Sequence, residues 1–400
     1  MIRLAILGQS YVADDLADGL AHPASRPLAA LLAGAHVAFT NVEGVVAPSG
    51  TGWPTRDTLV HRAAPGAFDR LVSLGVNAVS LANNHAFDLG PPGVLATLDA
   101  VASRGMLFAG TGVDATAAAQ PGLETLRGAP CGVVAFDCGG AGRDSIYALD
   151  PTAKRGARPG VARLKVTLSL EVPEDAFATL RQLTGALGHS ARSAMRVRIG
   201  FDRPSPVDRF DLYGRSVVRG PATAERRAPD ADDRARVLDA IRTARAFGGA
   251  VIACAHNHHW EPDWTRVPDW METLARDCVD AGADVFVGHG VPLMQGVAFH
   301  RGRPLLFGMG NFVFHAGNPG RFDEETWEGA VAEVALPPDG PARLTLRPIL
   351  VGGRPSGTRR FAAPCIADPV TALRTMERVA ARSAPFGTRF RPEGDAWIAD

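Results

Sequence analysis

The stretch VNAVSLANNHAFDLG, residues 76–90, indicates the fold class, because a short apolar run changes abruptly into polar side chains. Residues 76–82 are apolar and β-branched enough for a buried strand, and residues 92–104 have the apolar spacing of a helix. The polar tripeptide at 83–85 falls between these two segments. Open α/β sheets bind their ligands at the carboxyl ends of strands. The stretch therefore predicts an α/β protein with chemistry at this junction.

Strand-like and helix-like segments alternate along most of the chain. Short apolar runs predict strands at residues 3–7, 37–41, 76–81, 107–109, 132–137, 250–256, 285–288 and 304–308. Amphipathic spacing predicts helices at residues 12–21, 65–74, 92–104, 232–247 and 270–281. This alternation indicates a layered α/β fold with crossover connections or a mixed sheet.

Residues 139–229 interrupt the alternation with proline- and glycine-rich punctuation. Within this segment we predict strands at 162–168 and 195–201 and a helix at 175–187. We interpret it as an inserted α+β subdomain and a source of substrate specificity. The expected parts are the first core part at 1–138, the insertion at 139–229, the second core part at 230–351, and a C-terminal extension at 352–400 with a helix at 370–382.

Composition and charge exclude several classes of protein. With 46% hydrophobic residues, a chain of 400 residues can bury a sizeable core. Its 42 basic and 42 acidic residues cancel, which gives no general electrostatic case for nucleic acid or an anionic membrane. No apolar run approaches the roughly 18 residues of a membrane span. The glycine-rich residues 139–142 lack the lysine and the spacing of a phosphate-binding loop.

The cysteines and the first residues indicate the compartment. Five cysteines are widely spaced and form no C-x-x-C pair, as expected of small buried residues in a reducing environment. The first eight residues lead directly into a strand pattern without a secretory signal. We therefore expect a cytoplasmic protein, and the pattern leaves its oligomeric state open.

Polar residues follow five of the predicted strands, and their side chains suit a divalent transition metal. The five groups are Gln9 with Ser10, Asn41 with Glu43, Asn83 with Asn84 and His85, His256 with His258 and His259, and His289. Taken singly, each group is explained by capping or loop hydrogen bonds. Together they predict one shared site where several strand ends converge.

Some nearby histidines and tryptophans are weaker candidates. His258 and His259 are less secure than His256, because neighbouring residues on an extended chain point to opposite sides. The remaining histidines lie outside the five groups, and we interpret them as ordinary: His22, His36, His61, His189, His300 and His315. The tryptophans at 260, 264 and 270 are more typical of core packing or of a pocket wall than of a binding box.

In their order, these motifs resemble the CapA family of poly-γ-glutamate synthesis proteins. The matching segments lie at residues 41–43, 80–85, 88–90, 256–258, 283–290 and 308–314. The resemblance extends from about residue 4 to residue 314. It implies the calcineurin-like metallophosphatase fold, a two-sheet α/β sandwich flanked by helices with a dinuclear metal site at the strand ends.

The resemblance also implies roles for individual residues. Glu43 takes the place of the bridging carboxylate, and Asn84 that of a metal-binding amide. His256 and His289 are implied to bind the same ion as Asn84. His85 is implied to be a catalytic or substrate-orienting imidazole.

Two departures from the family pattern change the expected metal count. Gln9 stands where the family has an aspartate, and Pro292 stands where it has a second histidine. Both missing side chains serve mainly one of the two metal positions. We therefore expect a mononuclear site holding one Mn, Zn or Fe ion.

A single ion fits hydrolysis of a peptide or amide bond better than phosphomonoester hydrolysis, which uses two ions about 3.5–4 Å apart. The resemblance implies a γ-glutamyl or peptide-like substrate. Catalysis is expected from His85 and His258. The expected substrate contacts are Gln9, Asn41, Asn83, His259 and Asn311. Two alternatives stay open: a peptide epimerase that moves a proton at an α-carbon, and a degenerate, non-catalytic binding or scaffold protein.

Overall fold

The computed structural model describes residues 1–13, 21–54, 59–139, 146–353 and 362–400. The predicted helix at 12–21 falls largely, and the glycine-rich stretch at 139–142 partly, outside the described residues. The α-helices in the described part are α1 (Arg26–Gly34), α2 (Gly66–Ser73), α3 (Gly90–Ala102), α4 (Ala115–Ala119), α5 (Glu174–Ala186), α6 (His189–Arg198), α7 (Ala231–Phe247), α8 (Asp269–Asp280) and α9 (Pro369–Ser383). No helix among these has both the length and the apolar character that a membrane crossing requires.

The strands come mostly in short segments. The first half of the chain contributes β1 (Ile2–Tyr11), β2 (Val37–Val42), β3 (Val45–Val46), β4 (Arg62–Ala63), β5 (Ala78–Ser80), β6 (Leu107–Ala109), β7 (Thr111–Gly112), β8 (Gly122–Leu126), β9 (Ala129–Gly139), β10 (Gly160–Val161) and β11 (Val166–Val172). The second half contributes β12 (Arg209–Leu212), β13 (Arg215–Arg219), β14 (Ala224–Pro229), β15 (Ala250–Asn257), β16 (Val285–His289), β17 (Val297–His300), β18 (Arg303–Leu306), β19 (Asn311–Phe314), β20 (Glu328–Leu336), β21 (Arg343–Leu350), β22 (Gly352–Gly353), β23 (Cys365–Ile366), β24 (Phe390–Glu393) and β25 (Ala396–Ala399).

The described residues form two compact units, one of Met1–Leu164 with Ala231–Asp400 and one of Lys165–Asp230. In the larger unit, one sheet has the strand order β24-β25-β21-β20-β1-β2-β5-β6, with β19 beside β1. A second sheet has the order β17-β18-β16-β15-β9-β8. The central strands of each sheet run parallel, so their carboxyl ends lie at one edge.

The two sheets face each other across the main core. Alternation along β1 shows this directly, because Leu4 and Ile6 belong to the core between the sheets, whereas Ala5 and Leu7 pack into a second core with α1 and α2. The second sheet contributes Ile252 to the shared core. A strand covered on both faces has to be apolar throughout, which explains the continuous apolar runs in the sequence. The predicted two-sheet α/β sandwich flanked by helices is confirmed.

The smaller unit contains a four-stranded sheet in the order β12-β13-β11-β14, with α5 and α6. Val172, Phe177 and Val217 form its small core. The unit overlaps the segment 139–229 that the sequence sets apart, and the four-part division of the chain stays a prediction.

Several sequence predictions of local structure are corrected. The predicted strand at 195–201 is largely helical, because α6 extends to Arg198. Its apolar residues alternate with arginines, but arginine, alanine and methionine favour a helix. In addition, β11 begins at Val166 rather than at 162. The sequence analysis also missed β20 and β21, two long antiparallel strands that extend the first sheet beside β1.

Candidate metal centre

Two strand ends from different sheets meet at the carboxyl edge of the sandwich. His256 near the end of β15 and Asn84 in the loop after β5 are both buried, and the Nε2 atom of His256 lies 2.8 Å from the Oδ1 atom of Asn84. These residues are 172 positions apart in the chain. Because parallel strands bring their carboxyl ends together within each sheet, packing of the two sheets completes the site.

His258 joins the same site. Its Nε2 atom lies 3.0 Å from the Nε2 atom of His256. Residues two apart on an extended chain face the same side, so these two imidazoles converge while the residue between them points away. A carboxylate oxygen of Glu43 and one ring nitrogen from each histidine all lie within 4.8 Å of one another.

These four side chains fit a divalent ion. Two nitrogens bound at about 2.0–2.1 Å to one metal are roughly 2.8–3.4 Å apart for bond angles between 90° and 109°. The separation of 3.0 Å between His256 and His258 lies in that range. The two rings are also tilted by 41°, which allows their lone pairs to converge. Two imidazoles, one carboxylate and one amide oxygen suit zinc, manganese or iron.

Asn83 positions the loops that carry Glu43 and Asn84. Its side-chain amide donates to the carbonyl of Val42 at 2.7 Å, and its Oδ1 atom accepts from the backbone N–H groups of Gly44 at 3.2 Å and of His85 at 3.0 Å. The Asn83 side chain thus links the loop after β2 to the loop after β5. The sequence predicted a substrate contact for Asn83, but these bonds give it a structural role.

His85 is oriented by a buried carboxylate. Its Nδ1 atom lies 2.7 Å from the Oδ2 atom of Asp88, which also accepts from the backbone N–H of His61 at 2.8 Å. Asp88 is completely buried. Because a carboxylate accepts, Nδ1 of His85 carries the proton, and Nε2 is the nitrogen left for chemistry.

His61 belongs to the site although the sequence analysis set it aside. Its ring stacks on that of His85 with centroids 3.6 Å apart and planes 17° apart, and Tyr11 stacks on its other face at 4.2 Å. Pairing of β3 with β4 brings it there, since Val45 donates to the carbonyl of His61. The sequence around residue 61 has no periodic pattern, so it could not be predicted that His61 lies beside His85.

The stack does not form a second metal site by its geometry. One ring nitrogen each from His61 and His85 and a carboxylate oxygen of Glu43 lie within 4.8 Å of one another. In nearly parallel stacked rings, however, the lone pairs point in parallel directions and do not converge on one ion. Burial, together with the neighbouring His85, lowers the pKa of His61 to about 3, so its imidazole is neutral at pH 7.

His289, which the resemblance implies as a ligand, makes its contacts away from His256 and His258. Its Nε2 atom lies 2.9 Å from the carbonyl oxygen of Leu7, and its Nδ1 atom lies 3.4 Å from the Sγ atom of Cys254. Both ring nitrogens are therefore used in contacts that join β16 to β1 and β15. Burial lowers the pKa of His289 to about 4. His258, for which the sequence predicted a catalytic role, lies beside His256 where His289 was expected.

Comparison with known proteins identifies the family. A family model described as bacterial capsule synthesis protein PGA_cap matches residues 3–316. The chain belongs to this family. The CapA resemblance found in the sequence is thereby confirmed.

Individual relatives match this chain over different fractions of its length. An uncharacterized protein of Sinorhizobium fredii, y4sH, is 28% identical over 98% of this chain and 91% of its own length. The PGA biosynthesis protein CapA of Bacillus subtilis is 32% identical over 23% of each chain. A probable polyglutamine synthesis accessory protein of Mycobacterium tuberculosis is 23% identical over 69% of this chain and 55% of its own length.

At Gln9, where the chain departs from the CapA-family pattern, the structure has a direct contact between the sheets. The Oε1 atom of Gln9 accepts from the backbone N–H of Gly290 at 2.9 Å. Gly290 has φ +102°, and a Cβ atom there would lie 2.3 Å from the carbonyl oxygen of Asn257. Glycine is therefore required at position 290. Gln9 was predicted to contact substrate, but its buried side chain connects β1 to the loop after β16.

The other predicted substrate contacts also make internal hydrogen bonds. Asn41 donates to the Oγ atom of Ser80 and to the carbonyl of Ala82, each at 2.9 Å. Asn311 donates to the carbonyls of Pro292 at 3.3 Å and Thr326 at 3.2 Å. Both side chains are completely buried. We therefore interpret both as supports of the strand ends.

His259 is directed differently from its neighbours. Its Nε2 atom lies 3.3 Å from the carbonyl oxygen of Cys138, and its ring meets that of Trp270 edge-on at 6.2 Å. It therefore lies on the side of β15 away from His258, as the alternation of an extended chain requires. A role for His259 in substrate binding stays a prediction.

Proposed function

We propose that this chain binds one divalent ion, Mn, Zn or Fe, through Glu43, Asn84, His256 and His258. The observation that supports this most is the convergence of two imidazole nitrogens, 3.0 Å apart, with the amide oxygen of Asn84, 2.8 Å from one of them. Both distances also fit side chains that share one ion as ligands. A single ion also agrees with Gln9 and Pro292, which replace the aspartate and the second histidine of the family pattern at the other metal position.

We infer that the reaction is hydrolysis of an amide or γ-glutamyl bond in a peptide-like substrate. A bound ion of this kind polarises a carbonyl group or lowers the pKa of water toward about 7. His85 moves the proton through Nε2, since Asp88 holds its Nδ1 atom at 2.7 Å. Stacking on His61 fixes the plane of the His85 ring.

The relatives support the biological setting of this proposal. The Bacillus subtilis relative is described as a PGA biosynthesis protein, and the Mycobacterium tuberculosis relative as a probable polyglutamine synthesis accessory protein. We propose that this chain likewise acts in the synthesis of a bacterial capsule or polyglutamate. A cytoplasmic location stays part of the proposal.

Metal reconstitution and a cleavage assay test the hydrolase together. Protein stripped of metal and reloaded with one equivalent of Mn²⁺ or Zn²⁺ should cleave γ-glutamyl oligomers, as measured by release of free amine. His85→Asn should remove the activity while the protein keeps its ion. His300→Gln is the matched control, because that half-buried histidine bonds to Asp280 outside the site. Equal activity in metal-free and reloaded protein contradicts the proposal.

A peptide epimerase is the second candidate. The observation that favours it is the pair of stacked imidazoles of His61 and His85 beside the carboxylate of Glu43, which offers more than one proton-transfer group. Incubation of a candidate peptide in D₂O separates the two reactions. Deuterium at an α-carbon without loss of a fragment supports the epimerase, and a cleaved product supports the hydrolase. If neither appears and His85→Asn changes no measured property, a non-catalytic accessory role is the better description.

A further inference from the structure

A row of aromatic rings leads from the proposed ion site to the surface. The ring of His258 lies 4.9 Å from that of Trp260, and the ring of Trp260 lies 4.4 Å from that of Trp264. His258 itself contacts His256 within the site. Three rings in sequence thus connect a proposed metal ligand to an indole that is 45% exposed.

The two tryptophans are not core residues. Trp260 is half-buried and Trp264 is exposed, whereas Trp270 is buried. Large apolar side chains that stay in water do not gain the hydrophobic free energy of burial. A ligand that covers them would supply it. Their place beside the proposed ion site makes both indoles available to a bound ligand.

Hydrogen bonds hold the indole of Trp260 and the backbone that carries Trp264. The Nε1 atom of Trp260 donates to the carbonyl of Asn257 at 2.8 Å. The side-chain amide of Gln295, which is buried, donates to the carbonyls of Trp264 at 2.8 Å and of Arg266 at 2.9 Å. The aromatic surface is thus prepared before a ligand arrives, which reduces the entropy lost on binding.

We propose that Trp260 and Trp264 form a subsite for an aromatic or large apolar side chain of a peptide substrate, next to the bond that reacts at the ion. This proposal rests on the proposed function and, among its peptide-like substrates, favours peptides with an apolar residue beside the reacting bond over chains made of glutamate alone. Aromatic pairs stabilise each other through offset or edge contacts, whereas the negative face of an indole repels a carboxylate. The subsite therefore favours a phenylalanine, tryptophan or leucine side chain over that of glutamate.

Amino-acid hydroxamates test the subsite, because the hydroxamate group binds the ion while the side chain reaches the indoles. The probes are phenylalanine hydroxamate, alanine hydroxamate and glutamate γ-hydroxamate, with binding to Zn²⁺-loaded protein measured by calorimetry. We expect the phenylalanine probe to bind about tenfold more tightly than the alanine probe. The glutamate probe should bind no more tightly than the alanine probe.

Variants at Trp264 test whether this preference comes from the two indoles. Trp264→Ala should reduce the preference for phenylalanine over alanine to less than about threefold and leave binding of the alanine probe unchanged. Trp264→Phe should restore most of the preference. Circular dichroism and zinc content confirm that both variants stay folded and loaded.

The outcomes separate the subsite from the ion site. Equal binding of the three probes to wild type, or a preference that survives Trp264→Ala, overturns the subsite and leaves the ion site intact. If none of the probes binds to loaded wild-type protein, the open ion site itself is contradicted, and the subsite is overturned with it.

Discussion

The Nε2 atom of His256 lies 2.8 Å from the Oδ1 atom of Asn84, and the two residues come from different sheets of the sandwich. Neither sheet alone contains this contact. Any change that shifts one sheet against the other therefore changes the proposed metal centre directly. Metal binding and packing of the two sheets are accordingly expected to stabilise each other.

Loss of one imidazole should empty the centre. His256→Ala and His258→Ala should each reduce tightly bound metal from about one ion per chain to less than about 0.2, because only one imidazole remains beside the carboxylate and the amide oxygen. Elemental analysis of protein purified without chelator measures this. His300→Gln should keep the wild-type content. Two tightly bound ions in wild type, or none after reconstitution, would contradict the mononuclear site.

The affinity for metal should depend more on the charge of Glu43 than on the size of its side chain. Glu43→Gln keeps the size of the side chain but removes the anionic ligand, so we expect the affinity for Zn²⁺ to fall at least about tenfold. Competition with a fluorescent chelator measures the affinity. Glu261→Gln, a change at a half-buried carboxylate near the same loop, serves as a charge-matched control. The same loss in both variants would mean that net charge, rather than ligation, sets the affinity.

His289 should make the protein sensitive to acid. Above pH 6.5 this imidazole is neutral in both folded and unfolded chains, so it adds no pH dependence. Between pH 6.5 and its folded pKa of about 4, the unfolded chain takes up a proton that the folded protein does not, and stability is lost as the pH falls. The difference between these two pKa values corresponds to about 3 kcal/mol at most.

Urea unfolding at several pH values measures this contribution. Between pH 7 and pH 4, the free energy of unfolding should fall by about 3 kcal/mol more in wild type than in His289→Asn, although the variant is less stable at pH 7. The buried His61 titrates in both proteins and cancels in the comparison. Parallel curves for wild type and variant would show that His289 does not carry the effect.

The sequence predicted Asn84 and His256 because both follow buried strands, and the carboxyl ends of parallel strands meet. It assigned His289 to the ion and His258 to catalysis, a choice that depends on side-chain directions that only the packed sheets fix. His61 was missed for a different reason. Its place beside His85 depends on the short pairing of β3 with β4, which has no periodic signal in the sequence. The local sequence pattern thus predicted where the candidate site lies, but which side chains meet there depends on tertiary packing.

Gln9 should contribute to stability and not to metal binding. Gln9→Met preserves size but leaves the buried N–H of Gly290 without its acceptor, which should reduce the free energy of unfolding by about 1–3 kcal/mol. Metal content should stay at about one ion. Gln9→Glu, which keeps an acceptor oxygen, is the paired variant for chemical denaturation. A drop in metal content with unchanged stability would assign Gln9 to the ion instead.

The contacts from Gln9 to Gly290 and from His289 to Leu7 join the two sheets without any ion. The contact of Gln9 lies where the family pattern would place part of a second metal position. In this chain, hydrogen bonds encoded in the sequence provide that connection, so the sandwich can assemble before metal arrives. Chelation should therefore yield an intact, empty protein whose activity returns on simple addition of metal, without refolding.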